Sequence, residues 1–253
     1  MSGPPVFVAG LVLFLILMFL RVPVGFALFL AGLAGYWYLD GFGPAMATLS
    51  TVPYRLVTTY VFTCLPPFIL MGELGFRSGL STDAYGMAKT WLGHFRGGLA
   101  ITTIAASAMF SAITGSSIAC ALTMTSISLP EMKAAGYDDR LSTGTIATGA
   151  ILGPMIPPST IFIIYSFLTE VNLGYLLIGG IMPGIMLAVI YMITIAIWVR
   201  VSPGIATAGP HSTWRERITG FPAIWAIAVI FIAVIGGIYM GCLLYTSPSP
   251  RDR

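Results

Sequence analysis

Long apolar runs joined by short polar connections make up most of this chain, at 6–20, 22–39, within 53–76, and at 97–129, 141–168, 173–199 and 221–240. At a helical rise of about 1.5 Å per residue, runs near this length suit the hydrocarbon core of a bilayer. The connections carry turn chemistry: Arg21 with Pro23 closes the first turn, and Gly41 to Pro44 the second. Between 78 and 96, Ser81-Thr82-Asp83 precedes Ala84-Tyr85-Gly86-Met87-Ala88-Lys89, which predicts the capped start of an amphipathic helix. The stretch 41–76 is long enough to hold an interfacial helix before Pro66-Pro67 as well as a crossing. The chain thus reads as an all-α polytopic membrane protein.

Two runs depart from the simple pattern. Residues 97–129 contain no charge, yet their midpoint reads Ser111-Ala112-Ile113-Thr114-Gly115-Ser116-Ser117 and both flanks are basic. This predicts a re-entrant helical hairpin, a segment that enters the membrane, turns at a polar tip and leaves by the same face. Such irregular backbone is tolerated at membrane depth where it lines a solute or ion site. The run 141–168 is interrupted by Gly153-Pro154-Met155-Ile156-Pro157-Pro158-Ser159. Three prolines remove backbone donors there, so a broken transmembrane helix with an unwound centre over 153–158 is expected. Its first half carries Ser142, Thr143, Thr145 and Thr148, too many hydroxyls for a face turned only to lipid.

Composition agrees with the pattern and excludes a soluble class: 57% of residues are hydrophobic and 8% charged, and the mean hydropathy is +0.92. The net charge of +3 bears on orientation rather than on nucleic acid, for which no role is expected. If 97–129 returns to its own side, Arg21, Arg77, Lys89, Arg96, Lys133, Arg140, Arg200, Arg215 and Arg217 all share one face. That face is then cytoplasmic and the N-terminus lies outside the cytoplasm. If the run crosses once, the bias disappears. No positive region or cleavage-type site marks 6–20 as a signal peptide, so it is expected to be a retained span.

A polar tip beside an unwound helix offers carbonyl and hydroxyl oxygens, the hard ligands a bare Na⁺ requires, and half-helix N-termini suit a carboxylate. The alternative is that Gly and Ser only let helices pack closely. Several other residues have simple readings: Glu73 and Arg77 as a local ion pair, Glu170 as a helix N-cap rather than a gate residue, His94 and His211 as solvated. Tyr36, Trp37 and Tyr38 read as an interfacial belt, and Cys64 and Cys120 as packing residues. An intramembrane Ser116 or Ser117 nucleophile lacks a base in the apolar runs, so no enzyme is expected. A passive structural subunit would not need two broken elements.

These residues resemble the large membrane (permease) subunit of tripartite ATP-independent periplasmic (TRAP) transporters, within the ion-transporter superfamily of elevator carriers. The resemblance rests on Leu65-Pro66-Pro67-Phe68-Ile69-Leu70-Met71-Gly72-Glu73-Leu74, on 111–119, on Leu129-Pro130-Glu131-Met132, on Gly136-Tyr137-Asp138 and on Ile156-Pro157-Pro158-Ser159, in that order. It implies Na⁺-coupled symport of organic acids such as C4-dicarboxylates or sialic acid into a bacterial cell through the inner membrane. It also implies a periplasmic solute-binding protein and a small four-helix membrane subunit as partners, Na⁺ as coupling ion and no other metal or cofactor. The N-terminus would then be periplasmic. The implied fold has two inverted repeats, each with a hairpin and a broken helix. By that likeness Thr114, Gly115, Ser116, Ser117, Gly153, Pro154, Ile156 and Pro157 would hold sodium, while Ser111, Ser117, Pro158 and Ser159 would meet the substrate. Residues 1–96 would form a scaffold-like part with an amphipathic arm, 97–172 half of the transport domain, and 173–241 the spans leading to a second repeat. The polar tail 242–253 is unlike the family, which suggests a shortened chain joined to foreign sequence and therefore inactive by itself. Another carrier of the same superfamily, or a non-transporting structural subunit, is the alternative.

Overall fold

A computed structural model describes residues 3–58 and 65–209, together with single helical positions at 225, 229, 232 and 236. The expected span at 221–240, the tail 242–253, and Cys64, His211, Arg215, Arg217 and Cys242 otherwise lie outside the described residues. Among the described residues the regular structure is helical, as an all-α protein requires.

Residues 1–60 form one compact unit. Helix α1 (Gly3–Phe19) packs on α2 (Val24–Asp40), and α2 on α3 (Phe42–Thr58). The first turn forms as Arg21 and Pro23 predict: Arg21 adopts a positive φ of 60°, and Val22 N–H reaches back to the Leu17 carbonyl at 3.1 Å. Only small residues, such as Ala27 and Ala31, are buried in α2. Phe7, Phe19, Leu20 and Phe26 face outward, with Phe19 88% exposed. Large apolar side chains turned outward along successive helices suit a lipid solvent rather than water. The extra helix anticipated within 41–76 is α3, which is amphipathic and contains Pro53.

The second unit, residues 61–253, is built around one buried helix. It contains α4 (Leu65–Arg77), α5 (Leu80–Leu92), α6 (Gly98–Thr114), α7 (Ser117–Ala134), α8 (Asp139–Ala150), α9 (Leu152–Met155), α10 (Thr160–Thr169) and α11 (Leu173–Val201). Helix α6 packs against α4, α5, α7, α8, α9 and α11. It is buried on most faces, with Thr102, Thr103, Ala106, Ser107 and Phe110 all fully covered. Small and hydroxyl-bearing residues allow this, because backbones surrounding α6 can approach it closely. Phe110, Ile104, Met124, Met132, Leu141 and Leu152 fill the core between α6, α7, α8 and α9. Helix α11 is long and apolar enough to cross a membrane, and α8–α9 with α10 makes a second such stretch bent by 44°.

Several local expectations are corrected. Ser81, Thr82 and Asp83 do not cap α5 from outside but lie in its first turn. Gly79, at φ +80°, begins the helix instead, and no side chain caps it. A left-handed glycine ends the preceding helix so tightly that the next starts at Leu80. Glu170 is not an N-cap; it ends α10 with φ +57°, and Asn172 caps α11 by accepting the Gly174 N–H at 2.8 Å. The amide oxygen of Asn172 sits in extended backbone just before the first helical residue, where a cap must lie. His94 is only partly solvated: it is half-buried and lies against Phe95 with ring centroids 3.9 Å apart and the planes tilted by 37°. Glu73 and Arg77 do pair, at 2.7 Å across one helical turn.

Candidate functional site

The tip of the α6–α7 hairpin is made by three residues in three backbone states. Thr114 is the last helical residue of α6, Gly115 turns left-handed at φ +56°, and Ser116 is extended at φ −125°. Only the glycine adopts such a turn without strain. The Gly115 N–H closes α6 on the Ser111 carbonyl at 2.9 Å, and Ser116 Oγ caps α7 by accepting from Ala119 N–H at 3.4 Å. The C-terminal end of one helix, with its unsatisfied carbonyls, therefore meets the N-terminal end of the next, with its unsatisfied amides.

The second irregular element repeats this arrangement. Gly153 and Pro154, expected in the unwound segment, lie instead in the short helix α9, and the chain becomes extended only at Ile156, φ −89° and ψ 121°. Pro154 is tolerated because it falls within the first turn, where an amide would have no helical partner. The break thus spans residues 156–159, with a cis bond between Pro157 and Pro158. Ser159 then caps α10 by accepting from Ile161 N–H at 3.2 Å. Prolines at 157 and 158 leave the carbonyls of Gly153 and Pro154 without their usual helical donor.

The two elements touch. A Cβ on Gly115 would run into the Pro158 carbonyl and come within 3.0 Å of Ser159 Cα; one on Gly153 would lie 2.8–2.9 Å from the Ser116 and Ser117 backbone. Each glycine is present because the opposing backbone occupies the place of its side chain. The structure so brings Gly115 against Pro158 and Ser159, and Ser116 and Ser117 against Gly153, while Thr114 lies against Gly72 and Ile156 against Gly184. Gly115, Gly153, Pro158 and Ser159 are buried, while Ser116, Ser117 and Pro154 keep partial access. Thr114 donates its hydroxyl to the Phe110 carbonyl at 3.2 Å, which leaves its oxygen lone pairs available. Ser111 is placed differently from the rest: it is fully buried one turn below the tip and directs its hydroxyl across the hairpin to Cys120 Sγ at 3.8 Å.

Sequence reasoning missed the residues behind the tip. Gly72 on α4 lies so close to Thr114 that a Cβ there would sit 3.2 Å from its Cα, and one on Gly75 would press on Ile113. The signal was the Gly72-x-x-Gly75 spacing, which puts two small residues on one helix face. Ser107 went unremarked, and Thr145 was noted only as one of several hydroxyls; both are buried without a hydrogen-bond partner. The pair Lys89–Glu131, 2.7 Å apart, which joins α5 to α7, also went unremarked.

Taken together, this arrangement supplies carbonyl and hydroxyl oxygens and no acidic side chain among the residues in contact, a donor set suited to a hard monovalent cation. Comparison with known proteins shows a transporter family. The family described as tripartite ATP-independent periplasmic transporter, DctM component, matches residues 11–249. A sialic acid TRAP transporter permease of Haemophilus influenzae is 32% identical over 92% of the chain and 37% of its own length. A C4-dicarboxylate TRAP large permease of Pseudomonas aeruginosa is 33% identical over 85% of the chain and 50% of its own length. An ectoine TRAP large permease of Halomonas elongata is 32% identical over 89% of the chain and 52% of its own length. These relatives are permeases and not enzymes, and the chain spans about half their length or less.

Proposed function

The chain belongs to the DctM component family of tripartite ATP-independent periplasmic transporters, and on that premise we propose that it forms part of the membrane subunit of a sodium-coupled importer of organic acids. The observation that carries this reading is the backbone contact between the Gly115–Ser116 turn and the break after Met155. Two interrupted helices meeting at their ends give a cation several oxygens within one small space, and the cation requires no titratable group to hold it. Thr114, Ser116 and the carbonyls freed by Pro157 and Pro158 are the ligands of this site. The amide ends of α7 and α10, at Ser117 and Ser159, face the carboxylate of the solute. In this reading the hairpin is re-entrant, the protein lies in the inner membrane with its N-terminus in the periplasm, and α6–α10 belong to the moving half of an elevator. The fold is completed by a second, inverted repeat. A solute-binding protein and a small membrane subunit complete the transporter. Relatives named for sialic acid, C4-dicarboxylates and ectoine make a carboxylate the shared feature of the cargo.

The test is uptake by proteoliposomes carrying the complete transporter that contains this chain, with its binding protein. An inward sodium gradient is expected to drive accumulation of a C4-dicarboxylate or sialic acid, and replacing sodium by potassium to abolish it. Equal uptake in potassium would remove the sodium site from the account. Absence of uptake for every carboxylate offered, in either cation, would favour a non-transporting membrane subunit.

A further inference from the structure

At the end of the hairpin opposite its tip, Gly136, Tyr137 and Asp138 each have a separate task. Gly136 takes φ +75° and lets the chain leave α7, with the Ala135 and Gly136 amides returning to the Glu131 and Lys133 carbonyls at 3.0 Å. Asp138 starts α8 by accepting the Arg140 N–H at 2.7 Å. Between them Tyr137, 6% exposed, turns its hydroxyl inward, where it accepts the Leu99 N–H at 3.2 Å and donates to the Thr207 carbonyl at 3.0 Å. Leu99 is the second residue of α6, so its amide has no partner within its own helix. Burial pushes the Tyr137 phenol above its usual range, against the opposing pull of the Leu99 amide, which keeps the hydroxyl protonated and able to donate.

Thr207 belongs to residues 202–209, which follow α11 and run across all these helix ends. The Asp138 amide donates to the Ile205 carbonyl at 3.0 Å and the Gly97 amide to Thr207 at 3.4 Å. Thr207 Oγ1 donates to the Ala135 carbonyl at 2.8 Å, and Arg96 pairs with Ala208 in an antiparallel bridge. Gly97 approaches Val199 of α11 so closely that a Cβ would lie 2.8 Å from its side chain. The start of α6, the end of α7, the start of α8 and the end of α11 are thereby bonded to one segment.

We propose that residues 202–209 form a strap that fastens the base of the hairpin to α11, with Tyr137 as its positioning residue, so that the tip moves together with α11 as one body during transport. This rests on the transport reading above. Hydrogen bonds from three helix ends onto one strap that continues from α11 must break together for the hairpin to move apart from α11, whereas joint movement breaks none.

The strap is tested by the pair Arg96→Cys and Ala208→Cys in the complete transporter with its native cysteines replaced. Partners in an antiparallel bridge have Cα atoms about 4.5–5.5 Å apart, inside the range of about 4.4–6.8 Å that a disulfide spans. The disulfide is expected to form, and the cross-linked transporter to keep at least half of its reduced-state uptake. Tyr137→Phe, which keeps the ring and removes both hydroxyl bonds, is expected to lower the maximal rate severalfold without moving the sodium concentration for half-maximal uptake. Failure to cross-link, uptake that returns only on reduction, or a Tyr137→Phe rate equal to the parent's each overturns the strap. A parent without sodium-driven uptake fails the transport reading instead, and the yield of cross-link then decides whether the strap is seated.

Discussion

Replacing Gly115 by valine is expected to reduce sodium-driven uptake by about 10- to 100-fold, the equivalent of about 1.4–2.8 kcal/mol. Two costs combine at this residue. Its φ of +56° lies in the left-handed region, which costs a β-branched residue about 1–3 kcal/mol. Any Cβ would also meet the Pro158 carbonyl, and backbone cannot give way as a flexible side chain can. Relief comes only by separating the tip from the break, which would disperse the proposed ligands of the cation. Gly86→Ala is the matched control: Gly86 lies inside α5 with nothing near the place of a Cβ, and alanine there favours the helix. Initial rates, corrected for the amount of monodisperse protein, are the readout. A Gly115→Val rate like that of Gly86→Ala would show that the contact does not govern transport.

An all-or-none result is expected from accessibility. With native cysteines replaced, Lys89→Cys before the hairpin and Lys133→Cys after it should both react with a membrane-impermeant thiol reagent from the cytoplasmic side and neither from the periplasmic side. The structure gives the reason. Lys89 pairs with Glu131, two residues from Lys133, and Tyr137 bonds to Leu99 at the start of α6. Arg96, Lys133, Arg140 and Arg200 thus gather at one end of the helices, and an end with such positive charge is expected to stay in the cytoplasm. Labelling from opposite sides would mean that the hairpin crosses the membrane and that the charge argument fails.

Most of the architecture was legible because membrane helices announce themselves by apolar run length. Residues 6–20 and 22–39 became α1 and α2 within a few residues, and the three prolines after Gly153 marked the break. Boundaries were less legible. Pro154 was expected to unwind the chain, but within the first turn of α9 it removes no helical bond. Glu170 and Asn172 are both polar and near a helix start, and only backbone geometry distinguishes the residue that ends α10 from the one that caps α11. The tip and the break were each visible as composition, but their contact was not, because it depends on Gly115 and Gly153 facing foreign backbone. Tyr137 was visible as part of a motif, while its two bonds reach residues 38 and 70 positions away, far outside any local pattern.

Whether the hairpin tip holds the coupling ion is decided by the sodium concentration needed for half-maximal uptake. Thr114→Val and Ser116→Ala each delete one hydroxyl oxygen at the tip. Each is expected to raise that concentration about three- to tenfold, or about 0.7–1.4 kcal/mol, with little loss of rate at saturating sodium. Thr143→Val serves as the comparison, since its hydroxyl only back-bonds to the Asp139 carbonyl on an exposed face of α8, and it should leave the sodium dependence unchanged. A sodium dependence unmoved in both tip variants would contradict the account and leave Thr114 and Ser116 as residues that merely pack and cap.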